Sequence, residues 1–380
     1  MKKKDLKLED IGAPDKKELV VNLNKNNNKL EITIFNAEGF FIRNVIPYEE
    51  NDIIDNRINM DSNIQINYNE FVKVIKKTSA KTGFILTFNT NNIMINDMKI
   101  ETLNSSIINL ASKIELENMH LYNISNTQLL SLEYLKKVKF DLENCTQLNS
   151  ILSLVHMMYI EDSLCFYATA GAGLHYVTID MPSNIDEKEQ ACWPSIWNPV
   201  YFNNAYLKNI NDQFNEIGFV EHISNKNILL LKSNTNILGI PLQFSKLENP
   251  DFINKVLEKN MDIHEEQITN ITDFNNAKKL SFVEEYDIWR KSAAELKVLN
   301  KMEFLIQIQN TGISATDIHH KFNYKFKDGY YWVNNLYVSG FDFCHFLSHA
   351  NSIYKLNNSL GTWLRSDNRF LFIPNPNYHI

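Results

Sequence analysis

The stretch Leu164-Cys165-Phe166-Tyr167-Ala168-Thr169-Ala170-Gly171-Ala172-Gly173-Leu174-His175-Tyr176-Val177-Thr178-Ile179 reads as strand, turn, strand. Two runs rich in β-branched and aromatic residues flank a cluster of small residues that can turn tightly or let a ligand approach the backbone. Downstream, Asn203-Asn204-Ala205-Tyr206-Leu207-Lys208-Asn209-Ile210-Asn211-Asp212-Gln213-Phe214 reads as a helix, and two further strands are predicted at 217–222 and 227–232. The stretch closes on Asn249-Pro250-Asp251-Phe252-Ile253-Asn254-Lys255-Val256-Leu257-Glu258-Lys259-Asn260.

The same order of events recurs on either side. Ahead of it, strands are predicted at 18–23, 30–36 and 40–46, then an acidic, Asn-bearing loop over 49–63. A helix follows, capped by Asn67 or Asn69, with Phe71, Val72, Val74 and Ile75 as apolar positions and Lys73, Lys76, Lys77 and Lys81 as charged ones. Gly83 ends it, and a hairpin at 84–89 and 92–95 turns at Asn91-Asn92. Behind the central stretch come strands at 304–309 and 321–326, a helix over 341–356, and closing strands at 361–364 and 370–373. Element order alone therefore implies three similar units. The second and third units carry an extra leading helix, at 127–139 behind the cap candidate Asn126 and at 274–297 behind Asp273. The first has none. Residues 1–17, polar and holding Gly12-Ala13-Pro14, predict a leader with little fixed structure.

Two short motifs in this order resemble the middle domain of the bacterial DNA polymerase sliding clamp, the β clamp. They are Thr169-Ala170-Gly171-Ala172-Gly173-Leu174, and Pro250-Asp251-Phe252 followed by Val256-Leu257-Glu258-Lys259-Asn260. The Asp, His and Arg usual in the family's turn are here Ala170, Ala172 and Gly173. The resemblance implies an α+β fold of three repeated clamp domains, each with helices packed on antiparallel sheets, arranged as a crescent. Their bounds would be 1–107, short of its first helix, then 108–260 and 261–380. It further implies a non-enzymatic processivity factor without cofactor, two chains of which close head to tail around double-stranded DNA.

A ring of this kind meets the duplex with lysine-bearing helices, giving a sequence-independent, salt-sensitive attraction to phosphate. The residues that fit are Lys73, Lys76, Lys77, Lys81, Lys136, Lys137, Lys139, Lys208, Lys278, Lys279, Arg290 and Lys355, several of them three or four apart and so on one helical face. Taken singly, each reads better as an ordinary solvated lysine; it is their concentration on helices, in a chain acidic overall, that points to phosphate. The family's second site is a hydrophobic groove between the middle and last domains that receives short linear motifs from a DNA polymerase and the clamp loader. Its counterparts are Thr169, Gly171, Gly173 and Leu174; Pro250 and Val256; and Leu371, Phe372, Ile373 and Pro374. The tail Phe370-Leu371-Phe372-Ile373-Pro374 fits an edge strand beside such a groove and equally a final core strand. It runs on to Asn377-Tyr378-His379-Ile380, longer than the family ending.

Bulk properties agree with these expectations. A chain of 380 residues, 44% hydrophobic and 22% charged, can bury two or three cores. A net charge of −7 excludes a surface coated throughout in phosphate contacts and leaves room for lysines gathered on one face. No apolar run is long enough to span a bilayer, and Met1-Lys2-Lys3-Lys4-Asp5 has no apolar segment behind it, so a cytoplasmic protein without a membrane partner is expected. Cys145, Cys165, Cys192 and Cys344 are widely spaced, as free thiols in a reducing compartment would be. The Asn- and Lys-rich bias suits a low-GC bacterium or its phage.

Two other function classes stay open at this level. A clamp-derived interaction protein or decoy would account for the short first domain and altered turn. A metal-dependent hydrolase would use Asp317, His319 and His320, or His345 with His349, imidazoles four apart on one helix. Against the second stands the lack of a His-Glu-x-x-His arrangement, of Cys at ligand spacing, of a Gly-x-Ser-x-Gly elbow and of a phosphate-binding glycine loop.

Overall fold

The computed structural model describes residues 11–26, 29–47, 62–77, 85–89, 91–104, 107–114, 119–136, 138, 154–160, 162–169, 174–182, 185, 193–195, 200–223, 226–244, 266–270, 330–333, 336–339, 345, 346, 349, 352–357 and 361–374. They divide into two compact units. The first comprises Met1–Leu130, Met181–Trp193 and Ala205–Gln243; the second comprises Ser131–Asp180, Pro194–Asn204 and Phe244–Ile380.

In the first unit the chain forms β1 (Val20–Asn26), β2 (Lys29–Phe35), β3 (Phe41–Pro47), β4 (Ser62–Asn67) and helix α1 (Tyr68–Lys77). A small antiparallel sheet of β5 (Leu86–Phe88), β6 (Asn92–Ile95) and β7 (Met98–Glu101) follows, then β8 (Tyr122–Asn123). After the chain's excursion through the second unit it adds β13 (Glu216–Ile223), β14 (Lys226–Lys232) and β15 (Asn236–Phe244). All pair antiparallel in the order β8, β13, β14, β15, β3, β2, β1, β4. Alternate strand positions point to opposite faces. Val20, Phe35, Phe41, Val220, Ile228, Leu230 and Ile237 thus meet Ala111 and Ile114 in one buried cluster. Gly239 lies opposite Phe41 on β3, and any side chain there would collide with the Phe41 ring.

Helix α1 begins where Asn67 caps it, its side-chain oxygen accepting from the backbone N–H of Asn69 at 2.9 Å and Glu70 at 3.3 Å. Its buried stripe is Tyr68, Phe71 and Ile75, at the three-and-four spacing of an amphipathic helix.

The first unit also holds helix α2 (Asn126–Ser131), of which only Ser131 falls in the second; the second unit holds helix α3 (Glu133–Lys136), then β9 (Leu154–Ile160), β10 (Ser163–Thr169), β11 (Leu174–Asp180) and β12 (Val200–Asn203). Later come β16 (Glu266–Asn270), the hairpin β17 (Tyr330–Val333) and β18 (Leu336–Ser339), β19 (Ser352–Asn357), β20 (Gly361–Ser366) and β21 (Arg369–Pro374). The main sheet runs antiparallel in the order β16, β19, β20, β21, β11, β10, β9, β12.

The α+β class and the antiparallel sheets agree with the sequence reading, and four local expectations are corrected. The predicted helix over 127–139 is two short helices with Leu132 between them. The predicted helix over 203–214 is only a 3-10 helix, Asn204–Asn209. The end of the predicted helix over 341–356 is strand β19: residues 352–357 alternate Ser, Ile, Tyr, Lys, Leu, Asn and pair with β16 and β20, tertiary pairing that overrides a weak helical pattern. The leader is not structureless over 11–17. Ile11 and Ala13 are buried, and the Gly12 N–H donates to Asn209 Oδ1 at 2.9 Å while Asn209 Nδ2 donates to Gly12 O at 2.7 Å.

Candidate functional site

On the first unit, α1 turns its apolar stripe inward and leaves Lys73, Lys76 and Lys77 exposed, as the sequence spacing implies. Lys76 and Lys77 occupy the last turn, where a cation also complements the negative end of the helix. Lys208 is exposed on the 3-10 helix Asn204–Asn209, which is anchored by buried Tyr206 and Leu207. The Tyr206 ring stacks on Phe40 at 4.9 Å; burial, with Glu38 and Glu18 nearby, holds its phenol well above the ordinary tyrosine range.

The sequence reading missed Lys16 and Lys17. They stand exposed on a 3-10 helix, Lys16–Glu18, whose cap Asp15 accepts from the Lys17 N–H at 2.8 Å. This turn packs against α1, and the Leu19 carbonyl beyond it accepts from the Tyr68 N–H at 3.2 Å. The signal was available: Asp15 followed three residues later by Glu18, ahead of an apolar run, is a helix-start signature.

On the second unit, Lys136 is half-buried and 3.6 Å from Glu133 one turn earlier. Lys355 lies on strand β19 rather than on a helix, so it is not part of a helical lysine face. Lys81, Lys137, Lys139, Lys278, Lys279 and Arg290 lie outside the described residues.

The groove candidates divide in an informative way. Strand β11 pairs with β10 on one side and with the C-terminal strand β21 on the other, in the register Thr169↔Leu174 and Leu174↔Phe372. Leu174 and Phe372 share a cluster with Met158, Cys165, Tyr167 and Tyr176, with Ile160 and Phe370 packed against it. Leu371 lies opposite His175, so alternation puts Leu371 and Ile373 on the other face of the sheet. Leu371, Phe372 and Ile373 are buried, Phe372 completely. Pro374 ends β21 opposite Gly361. Gly171, Gly173, Pro250 and Val256 lie outside the described residues.

That other face carries a polar core. The Tyr134 hydroxyl from α3 hydrogen-bonds His175 Nδ1. His345 Nε2 donates to the Tyr134 carbonyl at 2.7 Å with the two rings stacked at 4.8 Å, and His349 Nδ1 donates to the His345 carbonyl at 3.0 Å. Arg369 donates to the His349 carbonyl at 3.0 Å, and Asn368 Nδ2 donates to Ser131 Oγ and to the Thr178 carbonyl, each at 2.7 Å. His345 and His349 are thus tied into packing through their ring nitrogens. Among the described residues no group of three or more His, Cys, Asp or Glu is disposed to hold a metal; Asp317, His319 and His320 lie outside them. On the Leu174 side, His156 stacks on Tyr167 at 4.8 Å and lies 6.0 Å from Tyr201; burial pulls its pKa down to about 4.

Among the described residues no helix is long and apolar enough to cross a membrane. No family profile matches the chain, and no curated protein sequence does. Solved structures do. The chain is similar to the Helicobacter pylori beta clamp bound to a DNA ligase peptide, with TM-score 0.54, 10% identity, and 98% of each chain covered. It is similar to the DNA polymerase sliding clamps of Pseudomonas aeruginosa (TM-score 0.56, 11% identity, 98% of this chain and 96% of that one) and Bacillus subtilis (0.56, 13%, 99% and 96%). At these identities the likeness establishes the fold: this chain folds as the bacterial sliding clamps do.

Proposed function

We propose that the chain is a DNA sliding clamp, a processivity factor without an active site or cofactor. Two copies would close head to tail around duplex DNA and tether a polymerase and clamp loader by short linear motifs. What carries this reading is the extent of the likeness: proteins named as DNA polymerase sliding clamps match over nearly their whole length, not over one module. Fold by itself does not decide function, so the local features matter. Exposed Lys73, Lys76, Lys77 and Lys208 would meet phosphate, with domains bounded at 1–107, 108–260 and 261–380. The strand pair β11–β21, with Leu174 and Phe372, would underlie the peptide groove; the Helicobacter pylori relative was solved with a DNA ligase peptide.

The test is retention on nicked circular duplex, with the mass in solution measured by light scattering. A dimer that stays on the circle and slides off once it is linearised is the expected result. A strict monomer that is never retained overturns the ring. The complete burial of Phe372 favours a second reading, a clamp-derived interaction protein whose groove is closed. Titrating a polymerase C-terminal peptide separates the two: binding that Leu174→Asp abolishes supports the clamp, and no binding by the unaltered chain supports the closed groove.

A further inference from the structure

We infer that the outer edge of β5 is an open strand slot that takes an extended segment of another protein, paired antiparallel and apolar at alternate positions. The slot lies outside the lysine and groove surfaces proposed above and does not depend on them.

Among the described residues the chain forms five antiparallel three-stranded meanders: β1–β2–β3, β5–β6–β7, β9–β10–β11, β13–β14–β15 and β19–β20–β21. Four of them carry a fourth strand on the outer edge of their first strand, supplied by a segment outside the meander. β4 lies on β1, β12 on β9, β8 on β13 and β16 on β19, all antiparallel. Among the described residues the sheet β5–β6–β7 stops at three. Residues 11–19, which precede β1, form no strand; Asn209 holds them at Gly12, and Leu19 is buried.

Side-chain burial follows the same division. Where the fourth strand is present, the apolar residues opposite it are fully buried: Val21 and Leu23 beside β4, Val155 and Met157 beside β12. In β5, Leu86 and Phe88 are only half-buried, although Ile95 and Ile93 opposite them on β6 are fully buried. Ile85, just ahead of the strand, is 53% exposed.

The backbone is free on that side. The Asn96 N–H donates to the Ile85 carbonyl at 2.8 Å and the Asn89 N–H to the Asn92 carbonyl at 3.0 Å. Alternation along an antiparallel pair therefore turns Ile85, Thr87 and Asn89 towards β6, and points the N–H and C=O of Leu86 and Phe88 out of the edge. These are the groups that an added strand pairs with.

The filled slots show what fits. In β4, Ile64 and Ile66 are buried between polar neighbours, and in β12, Val200 and Phe202 are buried while Tyr201 and Asn203 are not. A segment of this pattern would lay its apolar side chains beside Leu86 and Phe88 and complete the layer. Two copies joined through β5 would pair only three residues each, against six in β4 and four in β12, so a separate segment is the better occupant.

The experiment follows backbone amide exchange in the full chain by NMR. The probe is a capped peptide of the β4 sequence, Ser62-Asn63-Ile64-Gln65-Ile66-Asn67, compared with the same peptide N-methylated at the amides that would face β5. In the dilute chain alone, the Leu86 and Phe88 amides are expected to exchange freely while that of Asn89 is protected. At about ten times its Kd the unmodified peptide should slow both free amides about tenfold, and the methylated one should leave them unchanged. Protection in the dilute chain without peptide would mean that the chain fills the slot itself. Protection that grows with protein concentration alone would make a second copy the occupant. Free amides unmoved at the highest soluble peptide concentration would mean that the edge takes no strand. Each of these three results overturns the inference.

Discussion

His156 enters the folded chain uncharged, and acid should find it. Its ring lies between Tyr167, stacked at 4.8 Å and 10°, and Tyr201 at 6.0 Å, where burial lowers its pKa from 6.5 to about 4. As the pH falls past 6.5 the unfolded chain takes up a proton there, and the folded chain does so only near 4. The stabilisation is therefore complete above 6.5 and is lost progressively down to about 4. At about 1.4 kcal/mol per pKa unit the gap corresponds to about 3 kcal/mol, a large part of a typical domain's margin. His156→Phe keeps the stacking and removes the proton site. Urea unfolding of both proteins, followed by circular dichroism at about pH 7.5, 5.5 and 4.5, should show the unaltered chain losing stability faster than the variant, by up to about 3 kcal/mol at the acid end. Other titrating groups contribute equally to both curves and cancel in the difference. Parallel curves would refute the argument.

Three further outcomes are expected. Gly239→Ala drives a methyl into the Phe41 ring across the β15–β3 pair and should cost about 1–3 kcal/mol, read as a lower urea midpoint; an unchanged midpoint would mean that the strands slide apart freely. Asn209→Ala removes both hydrogen bonds to Gly12 and should cost about 1–3 kcal/mol, with faster amide exchange confined to the N-terminal segment and the 3-10 helix beneath it. Phe372→Ala empties a fully buried site and should cost about 3–5 kcal/mol; a cost under about 1 kcal/mol would show that this ring lines an open groove rather than a core.

Local patterns were readable from the sequence because their causes are local. Asn67 caps α1 through its own side chain, and the Phe71 and Ile75 stripe leaves the lysines outward whatever the rest of the chain does. The hairpins β10–β11 and β13–β14 follow from short β-rich runs on either side of a turn. Strand β15 was not readable, since Gly239 and Pro241 look like strand breakers; it forms because Phe41 fills the space over Gly239. Strand β9 was not predicted, although Asp162-Ser163 marks the turn that ends it, and Lys355 reads as helical until β16 and β20 claim its backbone.

The sequence by itself determined the α+β class and that α1 would expose Lys73, Lys76 and Lys77, because each depends on residues a few positions apart. Only tertiary structure decided that the C-terminal strand pairs with β11, so that Phe372 joins Leu174 while Leu371 and Ile373 turn to the histidine side. A shift of one residue in that ladder would exchange the two faces. Its register is set by side chains distant in the chain, which no local pattern records.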